Sequence, residues 1–149
     1  MSKAISLSKT AEILKNNDNF LILTHAHPDG DTLGSGFGLC SALRKMGKKA
    51  NVICSDEIPH KFQYLTVEGN EDFPIETVIS VDVADENLLG SLKEKYADKI
   101  LLSIDHHGTN TGFAENLSLE GDSAAARECI FNVIKELGVE ITPFIATCL

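Results

Sequence analysis

Asp105-His106-His107 stands directly after the apolar run Ile100-Leu101-Leu102-Ser103-Ile104. Carboxylate and imidazole groups placed where a buried strand empties into a loop can bind metal ions or move protons, and packing gives no reason for such a triplet. Two other segments share this grammar. Phe20-Leu21-Ile22-Leu23-Thr24 runs into His25-Ala26-His27-Pro28-Asp29-Gly30-Asp31, and Thr77-Val78-Ile79-Ser80-Val81 runs into Asp82-Val83-Ala84-Asp85. Oxygen donors mixed with some imidazole suit the dications that promote phosphate chemistry, and Mn2+ accepts that mixture well. In His25-x-x-x-Asp29-x-Asp31, Pro28 stiffens the approach and Gly30 permits a tight turn, so the flanking side chains can point into one cavity. Asp82 can offer two oxygens and so bridge two ions. His106 can offer a nitrogen, with Asp105 or a backbone carbonyl fixing its tautomer. A pair of ions about 3.5–4 Å apart is the two-metal route to phosphoryl hydrolysis, and roughly five or six dispersed donors fit a pair better than a single ion.

Other polar residues carry blander readings. His27 is a neighbour or substrate contact rather than a ligand, Asp85 caps the next helix, and His60, after Pro59, is a surface residue. Residues 32–38, with Gly34, Gly36 and Gly38 opening a helix, either offer backbone amides to a phosphate or serve close packing.

The elements that must position these groups alternate. Ser6 or Ser8 caps a first helix with Ile5, Ala11, Ile13 and Leu14 on its apolar face, ending near Asn16-Asn17. A strand over 20–24 follows, then a helix marked by Leu33, Phe37, Leu39, Leu43 and Met46 and stopped by Gly47. The pattern continues with a strand over 50–54, an irregular connector over 56–69, a strand over 77–81, a helix over 88–96 and a strand over 100–104. Asp122-Ser123 is read as the cap of a helix over 124–137 closed by Gly138, and Thr142-Pro143 opens a last helix with Phe144, Ile145 and Leu149. This alternation predicts an α/β fold: three layers, α/β/α, around a mainly parallel sheet whose carboxyl edge gathers the three loops.

Length and composition set the frame. The 149 residues with 43% hydrophobic content suit one domain with a real core. A formal net charge of -9, with Arg44 and Arg127 the only guanidinium groups, argues against a surface that grips nucleic acid as a whole. Part of that negative charge suits cations. Cys40, Cys54, Cys129 and Cys148 show no C-x-x-C spacing and read as free thiols in a reducing cytoplasm. No apolar stretch approaches the roughly 20 residues of a membrane span, so a soluble cytoplasmic protein without membrane partners is expected.

The chain closely resembles the DHH phosphoesterase superfamily. The name-giving triplet is Asp105-His106-His107, the first motif runs from His25 to Ser35, and the second is Val81-Asp82-Val83-Ala84-Asp85. Within the family the chain looks most like the bacterial nanoRNase and pAp-phosphatase group, which acts on very short RNAs and on 3′-phosphoadenosine 5′-phosphate (pAp). The resemblance implies Mn2+ as cofactor, two ions in the complete protein, with Mg2+ or Co2+ as alternatives. It implies His25, Asp29 and Asp82 on one ion, and Asp31, the shared Asp82 and His106 on the other. His107 would face the substrate as phosphate contact or proton donor, and Asp105 would support the histidines. A short RNA or small nucleotide is the implied substrate, and a homodimer is a further implied assembly. The family's fourth motif and its C-terminal substrate-binding domain do not occur within residues 1–149. The chain therefore reads as the catalytic domain of a longer protein, with apolar surface at its last helix left bare for the missing domain. The alternatives are a pyrophosphatase or polyphosphatase of the same family, or an inactive nucleotide-binding fragment.

Overall fold

The apolar runs become neighbouring strands of one sheet in the computed structural model, which describes residues 2–149. In chain order the strands are β1 (Lys3–Ala4), β2 (Phe20–Leu23), β3 (Ala50–Ile53), β4 (Thr77–Val81), β5 (Ile100–Asp105) and β6 (Asn116–Leu119). Their spatial order is β1-β6-β5-β4-β2-β3, and every pairing is parallel. β2 and β4 are buried along their whole lengths, which is why they read as unbroken apolar runs rather than as alternation. β1 and β6 were not legible: both are short and half polar, β1 forming the sheet's edge and β6 lying next to it.

The helices are α1 (Leu7–Asn16), α2 (Gly30–Lys45), α3 (Lys93–Tyr96), α4 (Ala126–Leu137) and α5 (Pro143–Cys148). One face of the sheet carries α1, α2, α4 and α5, and the main core lies there. Phe20, Ile22, Ile79, Leu102 and Ile104 from the strands meet Leu14, Leu39, Leu43, Ile130, Val133, Ile134 and Ile145 from the helices. Each such side chain taken fully from water contributes about 1.5–3 kcal/mol. The other face has a thinner cover. Leu89, Leu92 and Tyr96, from α3 and the 3-10 turn Glu86–Leu92, pack on Leu21, Leu23, Val78 and Ile100.

Several boundaries differ from the sequence reading, each for a local reason. Ser6 rather than Ser8 caps α1, its hydroxyl accepting from the Lys9 amide at 3.1 Å, and Ile5 stays outside the helix. α2 begins at Gly30, ahead of its first apolar residue, because the Asp29 carboxylate accepts from the Thr32 amide at 2.9 Å. The expected helix over 88–96 is broken by Gly90 at φ +60, leaving a 3-10 turn and four residues of α3. Asp122-Ser123 is not the cap of α4. That helix starts at Ala126, and its first amides are capped from another part of the chain, as described below.

α5 is not bare. Ile145 and Cys148 are buried, and the helix lies across α2 where glycines let the backbones meet. A Cβ on Gly34 would run into the Cys148 carbonyl, and one on Gly38 would crowd the Leu149 and Cys148 side chains at 3.2 and 3.3 Å. Gly36 faces the sheet, where a Cβ would lie 3.0 Å from Thr24 and 3.2 Å from Val52. Of the two readings of this glycine series, close packing accounts for all three. No helix is long and apolar enough to cross a membrane among the described residues.

The topology creates the place for a site. From β2 the chain steps outward to β3, whereas from β4 it steps the opposite way to β5. β2 and β4 are neighbours, so their carboxyl ends flank the point where strand order reverses, the position at which open α/β sheets form a crevice.

Candidate active site

Three loops meet at that crevice. His25 lies two residues past β2, Asp29 and Asp31 lie at the start of α2, Asp82 follows β4 directly, and Asp105 ends β5 ahead of His106 and His107. These strand-end residues, dispersed in the sequence, converge in space. Asp82 is the centre of the group, only 3% exposed. Its Oδ2 lies 3.6 Å from His25 Nε2, and its Oδ1 lies 3.4 Å from His106 Nε2. Asp29 Oδ1 is 3.7 Å from His25 Nε2, and Asp31 Oδ2 is 3.7 Å from His106 Nε2. These separations are long for hydrogen bonds. They suit donors to a shared cation, since two atoms bonded to one ion at about 2.1 Å stand roughly 3–3.6 Å apart.

Each imidazole is anchored at Nδ1. His25 Nδ1 donates to the Ala26 carbonyl at 2.7 Å, His106 Nδ1 to the Ser123 carbonyl at 3.2 Å, and His107 Nδ1 to Asp105 Oδ1 at 2.8 Å. A carbonyl oxygen only accepts, so Nδ1 must carry hydrogen in the first two, and Nε2 is left facing the carboxylates. Asp105 is fully buried and both its oxygens are taken: Oδ1 by the His106 amide and His107, Oδ2 by Asn110 Nδ2 at 2.8 Å. It stands behind the two histidines as their support.

Asp82 differs from Asp105 in one decisive respect. Its Oδ1 is buried and makes no hydrogen bond, an arrangement that costs about 1–3 kcal/mol when nothing compensates it. Its backbone sits at φ +59, in the left-handed region, a further cost of roughly 1–2 kcal/mol for a non-glycine residue. Burial pushes the Asp82 carboxyl above its usual range although His25 opposes this. The Asp82 carboxylate in turn lifts His25 from 6.5 to about 9, against the effect of burial. Burial lowers His107, but its hydrogen bond to Asp105 and the charges of Asp105, Asp82 and Asp31 leave it raised. Four aspartates around one crevice repel one another, and a divalent cation offsets that repulsion. The donor set therefore fits a metal centre: oxygen-rich, with imidazole nitrogens already turned toward it.

Asp31 has a second partner set. Its Oδ2 accepts from the Ala126 amide and its Oδ1 from the Arg127 amide, both at 3.0 Å, so this carboxylate caps α4. Arg127 Nε adds an ion pair with the same carboxylate at 3.4 Å. The rest of Arg127 borders a groove of about 530 Å3 lined also by Phe131, Ile141, Ala146 and Leu149. Arg44 is spent elsewhere, on the Ala50 and Gly69 carbonyls at 3.0 and 2.7 Å.

The other sequence candidates sit apart. His27 is 96% exposed, its backbone at φ +52 and its amide held by Asp56 Oδ2 at 2.6 Å. Asp85 caps the 3-10 turn that follows it, accepting from the Asn87 amide at 2.8 Å, and His60 is exposed. Asn110 was missed, and Thr32 and Ser123, read as part of the first motif and as a helix cap, have other roles. Thr32 Oγ1 joins the β2 and β4 loops, accepting from the His25 amide and donating to the Val81 carbonyl, each at 3.4 Å. For Asn110 the polar type gave the only hint, and no spacing rule links it to Asp105 and Val83.

Residues 19–149 match the family described as "DHH family, N-terminal domain". The chain is 33% identical over 144 residues to the bifunctional oligoribonuclease and PAP phosphatase NrnA of Thermus thermophilus, covering 92% of this chain and 43% of that protein. It thus spans less than half the length of that relative. In fold it is similar to an exopolyphosphatase-related protein from Bacteroides fragilis, with TM-score 0.85, 19% identity, and coverage of 95% of this chain and 47% of that one. It is also similar to exonuclease RecJ bound to manganese, with TM-score 0.53, 13% identity, and coverage of 90% and 38%. The family match takes in all three loops that build the crevice, and the chain accordingly belongs to the DHH family, as one of its N-terminal domains.

Proposed function

We propose that this chain is a divalent-metal-dependent phosphoesterase domain acting on phosphate esters of small nucleotides or very short RNA. The observation that carries the reading is Asp82: a buried carboxylate whose unpaired Oδ1 and opposite Oδ2 face the Nε2 atoms of two separate histidines. In this reading His25, Asp29 and Asp82 hold one ion, and Asp31, Asp82 and His106 hold a second, with Asp82 shared. Mn2+ is the favoured ion because the donor set mixes carboxylate oxygen with imidazole nitrogen. Such ions, when bound, polarise a phosphoryl oxygen and favour attack by water at neutral pH.

The remaining steps fall to the chain's own groups. His107, fixed at Nδ1 by Asp105, presents Nε2 to the substrate and stabilises charge on the departing oxygen by donating a hydrogen bond or a proton. Asp105 keeps that ring oriented and is a positioning residue. The nucleotide class rests on the relative whose name states that activity, since the crevice itself specifies only phosphate chemistry.

The test is Mn2+-dependent turnover of pAp, a diribonucleotide and pyrophosphate by the wild-type chain and by Asp82→Ala. The variant is expected to lose at least about a hundredfold in rate on the nucleotide substrates, more than a support residue costs. Retention of most activity would remove Asp82 from its bridging role. A clear preference for pyrophosphate would replace the nucleotide assignment.

A further inference from the structure

Asn110 lies in the loop beyond His107, outside the group of metal donors, yet its side chain is fully engaged. Nδ2 donates to Asp105 Oδ2 at 2.8 Å and to the Val83 carbonyl at 3.2 Å, while Oδ1 accepts from the Gly112 amide at 2.8 Å. Its backbone amide donates to the His107 carbonyl at 3.0 Å. One amide thus ties the loop after β4, at the residue following Asp82, to the carboxylate that ends β5.

We propose that Asn110 is a positioning residue for His107: by holding Asp105 Oδ2 it fixes the carboxylate plane, so that Oδ1 receives His107 Nδ1–H and Nε2 is presented to the substrate. The inference rests on the functional reading above for His107 facing the substrate. The physical ground is the symmetry of a carboxylate. Its two oxygens are chemically alike, and rotation about Cβ–Cγ exchanges them unless each is claimed by a donor in a set direction. Oδ1 is claimed by the His106 amide and by His107 itself. Asn110 claims Oδ2, so without it the carboxylate can turn away and release the imidazole. His25 and His106 are independent of this arrangement, since their Nδ1 atoms are held by the backbone carbonyls of Ala26 and Ser123.

Two-bond 1H–15N spectra of the histidine rings, recorded on the metal-free chain at alkaline pH, read the tautomers directly. Wild-type His107 is expected as the Nδ1–H form. Asn110→Ala is expected to convert His107 to a mixture while His25 keeps its tautomer. Asn110→Leu, close in size but without the amide, is expected to do the same and serves where the alanine variant does not fold. In Mn2+-dependent turnover kcat should fall about tenfold or more, with KM and Mn2+ affinity within about twofold of wild type. An unchanged His107 tautomer in the folded variants overturns the proposal, even if kcat falls, and so does a wild-type His107 in the Nε2–H form. A wild-type chain that hydrolyses none of the substrates overturns the functional reading instead, and the tautomer then decides the role of Asn110 alone.

Discussion

His25 gives the site a measurable proton. Its Nε2 lies 3.6 Å from Asp82 and 3.7 Å from Asp29, and Asp82 holds its pKa near 9 instead of 6.5. A cation bound at that nitrogen must displace the proton. At pKa about 9 only about 1% of the imidazole is neutral at pH 7, so apparent affinity there is roughly a hundredfold below its alkaline limit, or about 2.7 kcal/mol. An imidazole of ordinary pKa would be about three-quarters neutral at the same pH. Between about pH 7 and 8.5, Mn2+ affinity at the His25 position should therefore rise close to tenfold per pH unit, with nearly one proton released per ion. Calorimetric titration of the chelator-treated chain in two buffers of different ionisation enthalpy measures both quantities. His25→Gln should bind more weakly and lose the slope. A flat affinity across that window, with less than about 0.3 proton released, would refute the reasoning. The same ionisation acts oppositely on the metal-free fold. The raised pKa of His25 contributes stability that is fully present below about pH 6.5 and is lost as pH rises through about 9, an effect of up to about 3 kcal/mol. The metal-free chain should thus be easier to unfold with denaturant at the alkaline end.

Two packing perturbations test the frame around the site. Gly34→Ala places a methyl group against the Cys148 carbonyl and should cost about 1–3 kcal/mol despite alanine's better helix propensity, lowering the thermal midpoint by several degrees; an unchanged midpoint would mean that α5 is not seated on α2. His27→Gly removes a side chain that is almost wholly exposed from a backbone at φ +52, and should raise stability to denaturant by about 1 kcal/mol; a loss would show that the imidazole makes a stabilising contact.

The site was legible where information is local. Asp82, Asp105 and the residues from His25 to Asp31 follow strands whose buried apolar runs announce themselves, and their polar types are those of metal donors or proton carriers. Parallel pairing then brings the strand ends together, an inference from alternation rather than from any single residue. What escaped depended on long-range hydrogen bonds or on weak local signals. β6 is only four residues long, with Ser118 buried and Leu119 exposed, and β1 has only two. The helix expected over 88–96 had an apolar pattern, but one glycine in a left-handed conformation overrode it. Asp122-Ser123 had the types of a cap, yet the capping carboxylate came from Asp31. Asn110 and Ser123 shape the histidines through partners that no spacing rule connects.

That carboxylate also sets an order of events during synthesis. Asp31 and the amide of Ala126 are separated by 95 positions in the chain. At typical elongation rates of about 5–20 residues per second, Asp31 emerges roughly 5–20 s before the segment it closes. Through that interval α2 can form and β2 can wait for its neighbours, but the crevice lacks a wall. Closure belongs to the slow, non-local part of folding, so the Asp31 carboxylate is made well before the amides it caps.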